Sequence, residues 1–443
     1  MTVLAALRAA LGDDVVVDGL DEYRHDRSGW EPDGQPLAVA LPTDVAGVQE
    51  VLRIAHEHRT PVVVRGAGTG LSGGATAVDG EIVLSTRRLD AITELSPVDQ
   101  TAVVQPGVIT ADLDRAAAAH GLRYAPDPGS VAISTIGGNI ATNAGGLRCA
   151  KYGVTRDSVL GMDIVLADGT LLSTGRRTVK GVTGYDLTSL FVGSEGTLGV
   201  VVGATVRLRP APPSTATVAA YFDSVTAAAE ASIAVSAAGI QPSVAELLDS
   251  VTLTALGLRD RGAALLLLQA DGYGAHAEAE AIATAVSPLA MDIALADDPL
   301  VADELIAARR LALPALEKLG RVLIEDIAVP RSRLAQAVES ISEIAVRHGV
   351  TVATLAHAGD GNLHPIFVID RAEPAIPDTV WAAAEEIFRL ALSLGGTLTG
   401  EHGVGLLKRQ WLADELGPAG VAVQRDLKRL FDPLGILNPG KVF

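Results

Sequence analysis

Arg65-Gly66-Ala67-Gly68-Thr69-Gly70-Leu71-Ser72-Gly73-Gly74 is the stretch on which the reading of this chain turns. It follows a short β-branched strand, Pro61–Val64, and before that a stretch of helical periodicity, Asp44–His58. Gly68 to Gly73 match the letters of the dinucleotide fingerprint G-x-G-x-x-G. A Rossmann unit also needs a helix to open at the third glycine, with its N-terminus facing pyrophosphate. Here Gly73-Gly74-Ala75-Thr76-Ala77-Val78-Asp79-Gly80 runs into a strand at Ile82 without a helix signal. NAD binding of the Rossmann type is therefore not expected. So much glycine in one turn is entropically unfavourable and lets a ligand approach the backbone closely. Successive N–H groups can form an anion nest without a helix, and Arg65, Thr69 and Ser72 add side-chain donors.

Two further loops have the same character. One runs through Pro126-Asp127-Pro128-Gly129-Ser130 and on from Ser134-Thr135-Ile136-Gly137-Gly138-Asn139 to Gly145-Gly146; the other is Gly193-Ser194-Glu195-Gly196-Thr197-Leu198-Gly199. Three such loops fit a long, extended ligand lying along backbone. Short strands near Ile82–Ser85, Ala102–Gln105, Met162–Leu166 and Leu198–Arg207, with helix Ala111–His120 among them, give an α+β texture. Leu208-Arg209-Pro210-Ala211-Pro212-Pro213-Ser214 reads as a linker, because its prolines stop both helix and sheet. Clean β–α–β units follow: Thr217–Tyr221, Val225–Ala238 and Ser243–Leu248, then Ala263–Ala270, Ala275–Val286 and Met291–Leu295. A third runs through Arg321–Val329, Arg333–Arg347 and Thr351–His357. Two such units suggest a ferredoxin-like sheet with helices on one face. The tail Leu406–Leu430 is mainly helical and ends at Asp432-Pro433.

A chain of 443 residues is too long for one core. With 3% aromatics, Ala, Val and Leu must do the packing. The net charge of -18 argues against nucleic acid or an anionic membrane surface as partner. A small anionic substrate is compatible, given local Arg or Lys. A lone Cys149 excludes an internal disulfide, a Cys-rich zinc module and an iron–sulfur cluster built by this chain alone. Met1 to Leu11 reads as a short amphipathic helix; Asp13 and Asp14 follow with no small-residue cleavage site, unlike a signal peptide. The longest apolar stretches, such as Ala263–Ala270, are strand-sized and too short to span a bilayer. A soluble cytoplasmic protein is expected, with peripheral attachment to the inner face of a membrane left open, as is a homo-oligomer.

The chemistry is concentrated in His357-Ala358-Gly359-Asp360-Gly361-Asn362-Leu363-His364 and in Glu401-His402, which hold three of the nine histidines. Two His and one carboxylate can hold a divalent metal with a position left open, as catalytic sites do. The remaining His is then free to move a proton.

Together with the three glycine-rich loops and the closing Asn438-Pro439-Gly440-Lys441, these segments resemble the vanillyl-alcohol oxidase / p-cresol methylhydroxylase flavoprotein superfamily, and within it the D-2-hydroxyacid dehydrogenase branch. The resemblance covers nearly the whole chain. It implies a two-lobed FAD-binding domain (1–209), a ferredoxin-like α+β substrate and metal-binding cap (210–400), and a C-terminal segment (401–443) that returns to the FAD domain. FAD would be cradled by Arg65, Gly66, Ala67, Gly68, Thr69, Gly70, Leu71, Ser72 and Gly73. Its path would continue along Pro128, Gly129, Ser130, Ser134, Thr135, Gly138, Asn139, Gly145, Gly146 and Tyr152, and close at Gly196 to Val200. Relatives with covalent flavin carry His where Thr69 stands, so non-covalent FAD is implied. Cys149 reads as a small packed residue rather than a thioether link.

The family's metal ligands map onto His357, His364 and Glu401, its base onto His402, and its carboxylate-binding arginine onto Arg309, in Ala307-Ala308-Arg309-Arg310. The implied reaction is oxidation of a D-2-hydroxy acid to the 2-oxo acid. A divalent cation, Zn²⁺ or Mn²⁺, would acidify the hydroxyl, His402 would take its proton, and the hydride would pass to flavin N5. Members that use 2-hydroxyglutarate tend to carry Asn two positions after the second metal His. This chain has Ile366 there, which favours D-lactate or a related acid, with glycolate close behind. Ala144, if it stands at the position thought to gate O₂ in some relatives, weakly favours a dehydrogenase over an oxidase. The electron acceptor stays open among an iron–sulfur subunit, a cytochrome, a quinone and O₂. A non-catalytic FAD-binding subunit is the rival reading, although such a subunit would be expected to lose the metal and base residues.

Overall fold

The computed structural model describes residues 1–18, 21–178, 180–296, 305–306 and 309–443. They form two compact units. Unit 1 comprises residues 1–145, 153–211 and 401–443; unit 2 comprises 146–152 and 212–400. Gly146 and Tyr152, which the sequence places in the first domain, therefore belong to unit 2.

In unit 1, helix Val45–His58 starts where the Asp44 carboxylate accepts the Gly47 N–H at 2.8 Å, and stops at Arg59 in the left-handed region (φ 53°). Its Val48, Val51, Leu52, Ile54 and Ala55 face one core, in which a fully buried Leu or Ile stabilises the fold by about 2 kcal/mol. That core is shared with a four-stranded sheet ordered Val16–Val17, Ala38–Ala40, Ile82–Ser85, Val62–Arg65, in which the last three strands are parallel. Buried on both faces, such strands read as continuous apolar runs rather than alternating ones. The glycine loop leaves the C-terminal end of Val62–Arg65, and only turns lie between Gly73 and Ile82, so the Rossmann reading is excluded structurally. A second, antiparallel sheet runs Ile92–Ser96, Thr101–Val104, Val200–Arg207, Val159–Val165, Leu171–Gly175. The linker is less irregular than its prolines suggest, because Arg209–Pro210 pairs with Leu122–Arg123.

Unit 2 is built on an eight-stranded sheet whose pairings are antiparallel. Its first four positions are Asp292–Ala296, Thr215–Phe222, Ala264–Asp271 and Val244–Leu248, two interleaved β–α–β units as expected. Thr351–His357, Asn362–Ile369 and Arg321–Ile324 extend it. The expectation of helices on one face is corrected. Helices Val225–Ala237, Ala275–Val286 and Leu334–His348 pack together, but Ser250–Ala255 and Ala312–Leu319 cover a second apolar surface made of Tyr221, Leu248, Leu265, Leu267, Leu355 and Ile366. Sequence periodicity does not reveal this second cover, because these helices are short.

Candidate active site

Strand register assembles the first half of the site. Glu246 lies directly opposite His357, and Leu355 opposite His364. Directly opposed residues point to the same face, so Glu246, His357 and His364 share the face of Leu248, Leu355 and Ile366. The two imidazoles, both buried, stand nearly perpendicular (86°) with centroids 5.1 Å apart. Behind them lie two fully buried carboxylates. Glu246 Oε1 is 2.5 Å from His357 Nδ1, and Glu246 Oε2 accepts from Arg309 Nε at 2.7 Å. Asp326 accepts from the Asn362 side-chain amide (2.6 Å) and the Thr399 hydroxyl (2.5 Å), with Oδ1 3.7 Å from His364 Nδ1. Paired imidazoles backed by carboxylates are a donor set suited to a divalent transition metal. The sequence fits the ion that the resemblance implies.

Arg309 is nearly buried, and its two Nη groups take no protein acceptor among the described residues. Its neighbours Ala307 and Ala308 lie outside those residues. Ile366, read as a substrate-side residue, packs into the apolar cluster beside the site. Tyr152, read as a flavin contact, donates its hydroxyl to Asp271 at 2.7 Å, and Lys151 pairs with the same carboxylate.

In unit 1 the three glycine loops converge. A Cβ on Gly66 would stand 2.4 Å from Thr135 Oγ1, so the first loop lies against the second. Thr135 Oγ1 in turn caps helix Ile136–Thr142 by accepting from Gly138 N–H at 3.2 Å. Ser134 and Asn139 both bond to Thr110 Oγ1, at 3.1 and 2.7 Å. The third loop is tied in by Gly193 N–H to Ile140 O (2.9 Å) and Glu195 N–H to Ala141 O (2.8 Å). Asn438 then joins first to third, its side-chain amide donating to Gly74 O (3.2 Å) and Glu195 O (2.6 Å). The N–H groups of Ala67 to Gly74 have no protein acceptor among the described residues, the arrangement expected of a backbone that binds an anionic ligand. The loop residues fit a pyrophosphate.

The Glu401-His402 turn rests on these loops. Ser72 Oγ lies 2.8 Å from the carbonyls of both His402 and Gly403, and Leu406 N–H returns to Ser72 O at 2.8 Å. Glu195 accepts the N–H groups of Val404 (2.8 Å) and Gly405 (2.9 Å). A Cβ on Gly145 would meet Glu401 Oε2 at 2.3 Å, so a side chain there would displace that carboxylate. Glu401 Oε1 and His402 Nε2 are 3.9 Å apart, too far for a hydrogen bond. Burial pushes the Glu195 carboxyl up to about 7, against the two N–H groups, which favour its ionised form.

Two roles read from the sequence are corrected. Arg65 is turned inward. Its guanidinium donates to Ala75 O (3.2 Å) and Glu22 O (2.9 Å) and stacks on Tyr23, so it shapes the loop from behind rather than offering a donor to an anion. Val200 is fully buried in the core beside Val62 and Leu84, so it does not line a ligand path. Pro128, Gly129 and Ser130 form a turn at which Val131 N–H returns to Pro128 O. Glu246, Asp326 and Glu195 were not singled out from the sequence. The available signal for Glu246 was a lone carboxylate inside the apolar strand Val244–Leu248.

Comparison with known proteins agrees with this architecture. Residues 211–442 match the family described as FAD linked oxidases, C-terminal domain, and residues 36–175 match an FAD binding domain. The glycolate oxidase subunit GlcD of Bacillus subtilis (strain 168) is 44% identical over 92% of this chain and 89% of its own length. The D-lactate dehydrogenase of Archaeoglobus fulgidus is 36% identical over 95% of each chain. The crystal structure of p-cresol methylhydroxylase with substrate bound superposes with a TM-score of 0.82 at 18% identity, over 99% of this chain and 96% of that one. It shares the fold. A family match over more than half the chain and identities well above 30% across almost its whole length make this chain a member of the FAD-linked oxidase family, and an oxidoreductase.

Proposed function

We propose that this protein oxidises a small D-2-hydroxy acid, D-lactate or a close analogue, to the 2-oxo acid, using non-covalent FAD and a divalent cation, Zn²⁺ or Mn²⁺. The observation that carries this reading is the pair of buried imidazoles, His357 and His364, backed by carboxylates in an FAD-linked oxidase. His357, His364 and Glu401 would hold the cation, and the backbone from Gly66 to Gly73 the pyrophosphate. When bound, the cation acidifies the substrate hydroxyl, and FAD accepts the hydride from the adjacent carbon. His402 takes the hydroxyl proton, with its main chain held by Ser72. The Nη groups of Arg309, without a protein acceptor among the described residues, pair with the substrate carboxylate. Glycolate is the second candidate, because the 44% identical relative is named a glycolate oxidase subunit. That word also favours electron transfer to a partner subunit over direct use of O₂. No helix among the described residues is long and apolar enough to cross a membrane.

The test is anaerobic mixing with D-lactate, L-lactate, glycolate and D-2-hydroxyglutarate while flavin absorbance is followed. Bleaching by a D-hydroxy acid or by glycolate that a chelator abolishes is expected. Bleaching by L-lactate alone, or at full rate after metal removal, would defeat the proposal.

A further inference from the structure

Glu246 is fully buried in the middle of an apolar strand, between Ala245 and Leu247. A carboxylate in such a place is strongly unfavourable unless its charge is met. Here both oxygens are engaged, Oε1 by His357 Nδ1 and Oε2 by Arg309 Nε. As a stabilising device alone this is a poor choice, since apolar side chains of similar volume commonly do as well or better. Its geometric effect is specific, however. A carboxylate 2.5 Å from Nδ1 requires a proton there, which in the neutral ring leaves the lone pair on Nε2. The cross-strand register fixes the ring's direction as well, because Glu246 and His357 are direct partners in adjacent strands.

We propose that Glu246 is a positioning residue. It holds His357 as the Nδ1–H tautomer with Nε2 presented to a divalent cation, and Arg309 fixes the other Glu246 oxygen through Nε while its Nη groups, without a protein acceptor among the described residues, face a substrate carboxylate. This rests on the reading of His357 as a metal ligand. It gives Arg309 a second task, so that one guanidinium couples the support of the metal ligand to recognition of the anion. A carboxylate behind a metal-bound imidazole typically raises affinity 10- to 100-fold.

The experiment uses the FAD-loaded protein stripped of metal and titrated with Zn²⁺ or Mn²⁺ against a chromogenic chelator. Glu246→Gln keeps the size and one acceptor but removes the charge. It should weaken ion binding roughly 10- to 100-fold while leaving flavin content unchanged. Arg309→Lys should weaken it less, and in the same direction. Equal affinity in wild type and Glu246→Gln would overturn the positioning role and leave the metal reading standing. A wild type that takes up no ion would overturn both. If Glu246→Gln does not fold, the ¹⁵N-histidine spectrum of the metal-free wild type decides. The signal missing in His357→Asn should be that of a ring carrying a proton on Nδ1, and a ring protonated on Nε2 alone would refute the proposal.

Discussion

Glu195→Gln should make this protein more stable and less active, and the gain in stability should appear only as pH rises. The carboxyl is buried, and its folded-state value of about 7 lies above the ordinary 4.5. Between those values the folded state keeps a proton that the unfolded chain has released, so stability falls as pH rises through the window. At 1.36 kcal/mol per pH unit the full penalty above neutrality is about 3 kcal/mol. Glutamine is close to isosteric with the protonated acid and carries no such penalty. Urea titration followed by circular dichroism should show the variant no more stable than wild type near pH 5, where its amide leaves one of the Val404 and Gly405 N–H groups without an acceptor. The difference should shift in the variant's favour by about 2 kcal/mol by pH 8.5. The same change removes one of the two acceptors facing Val404 and Gly405 N–H, beside His402, so flavin reduction by substrate should slow. A variant no more stable than wild type at pH 8.5, or a difference that does not change with pH, would refute the argument.

Four further outcomes are expected. Gly145→Ala places a methyl 2.3 Å from Glu401 Oε2 and should lower ion affinity about tenfold or more with FAD content unchanged, by chelator competition. Ser72→Ala removes the hydroxyl that holds the His402 and Gly403 carbonyls, a loss of about 1 kcal/mol, and should reduce kcat several-fold without releasing flavin. Arg309→Lys should raise KM about tenfold or more, whereas an equal loss of FAD would point to a role in the fold. Chelation should slow anaerobic flavin reduction at least tenfold and restored metal should recover it; an unchanged rate would remove the cation from the reaction.

Local signals in the sequence were sufficient for the elements. Asp44 before an apolar stripe marks the start of helix Val45–His58, and the proline cluster near 210 lies at the boundary between units. Glycine density marked the loops that converge in unit 1. What the sequence did not disclose depends on contacts between distant segments. Nothing near Glu246 announces that strand pairing will set it opposite His357, more than a hundred residues later. The inward turn of Arg65 depends on the carbonyls of Glu22 and Ala75 being within reach. Glu195 and Ser72 were legible as loop residues, but not as supports for a turn some two hundred and three hundred residues further on.

The short excursion 146–152 limits how this chain can be cut. Lys151 and Tyr152 close on Asp271, and Gln241 bonds to Ala150 O at 2.8 Å, so unit 2 includes a piece of chain embedded between two parts of unit 1. A fragment spanning 212–400 would lack Lys151 and Tyr152, which both pair with Asp271. Gene fusion or domain exchange that treats 212–400 as a self-sufficient cassette should therefore yield poorly behaved protein. Transplanting 146–400 together, with its intervening unit 1 residues, would carry the missing patch but also the orphaned strands around it. The two units are thus inherited together, and recombination between relatives is expected to succeed at the level of the whole chain rather than of either half.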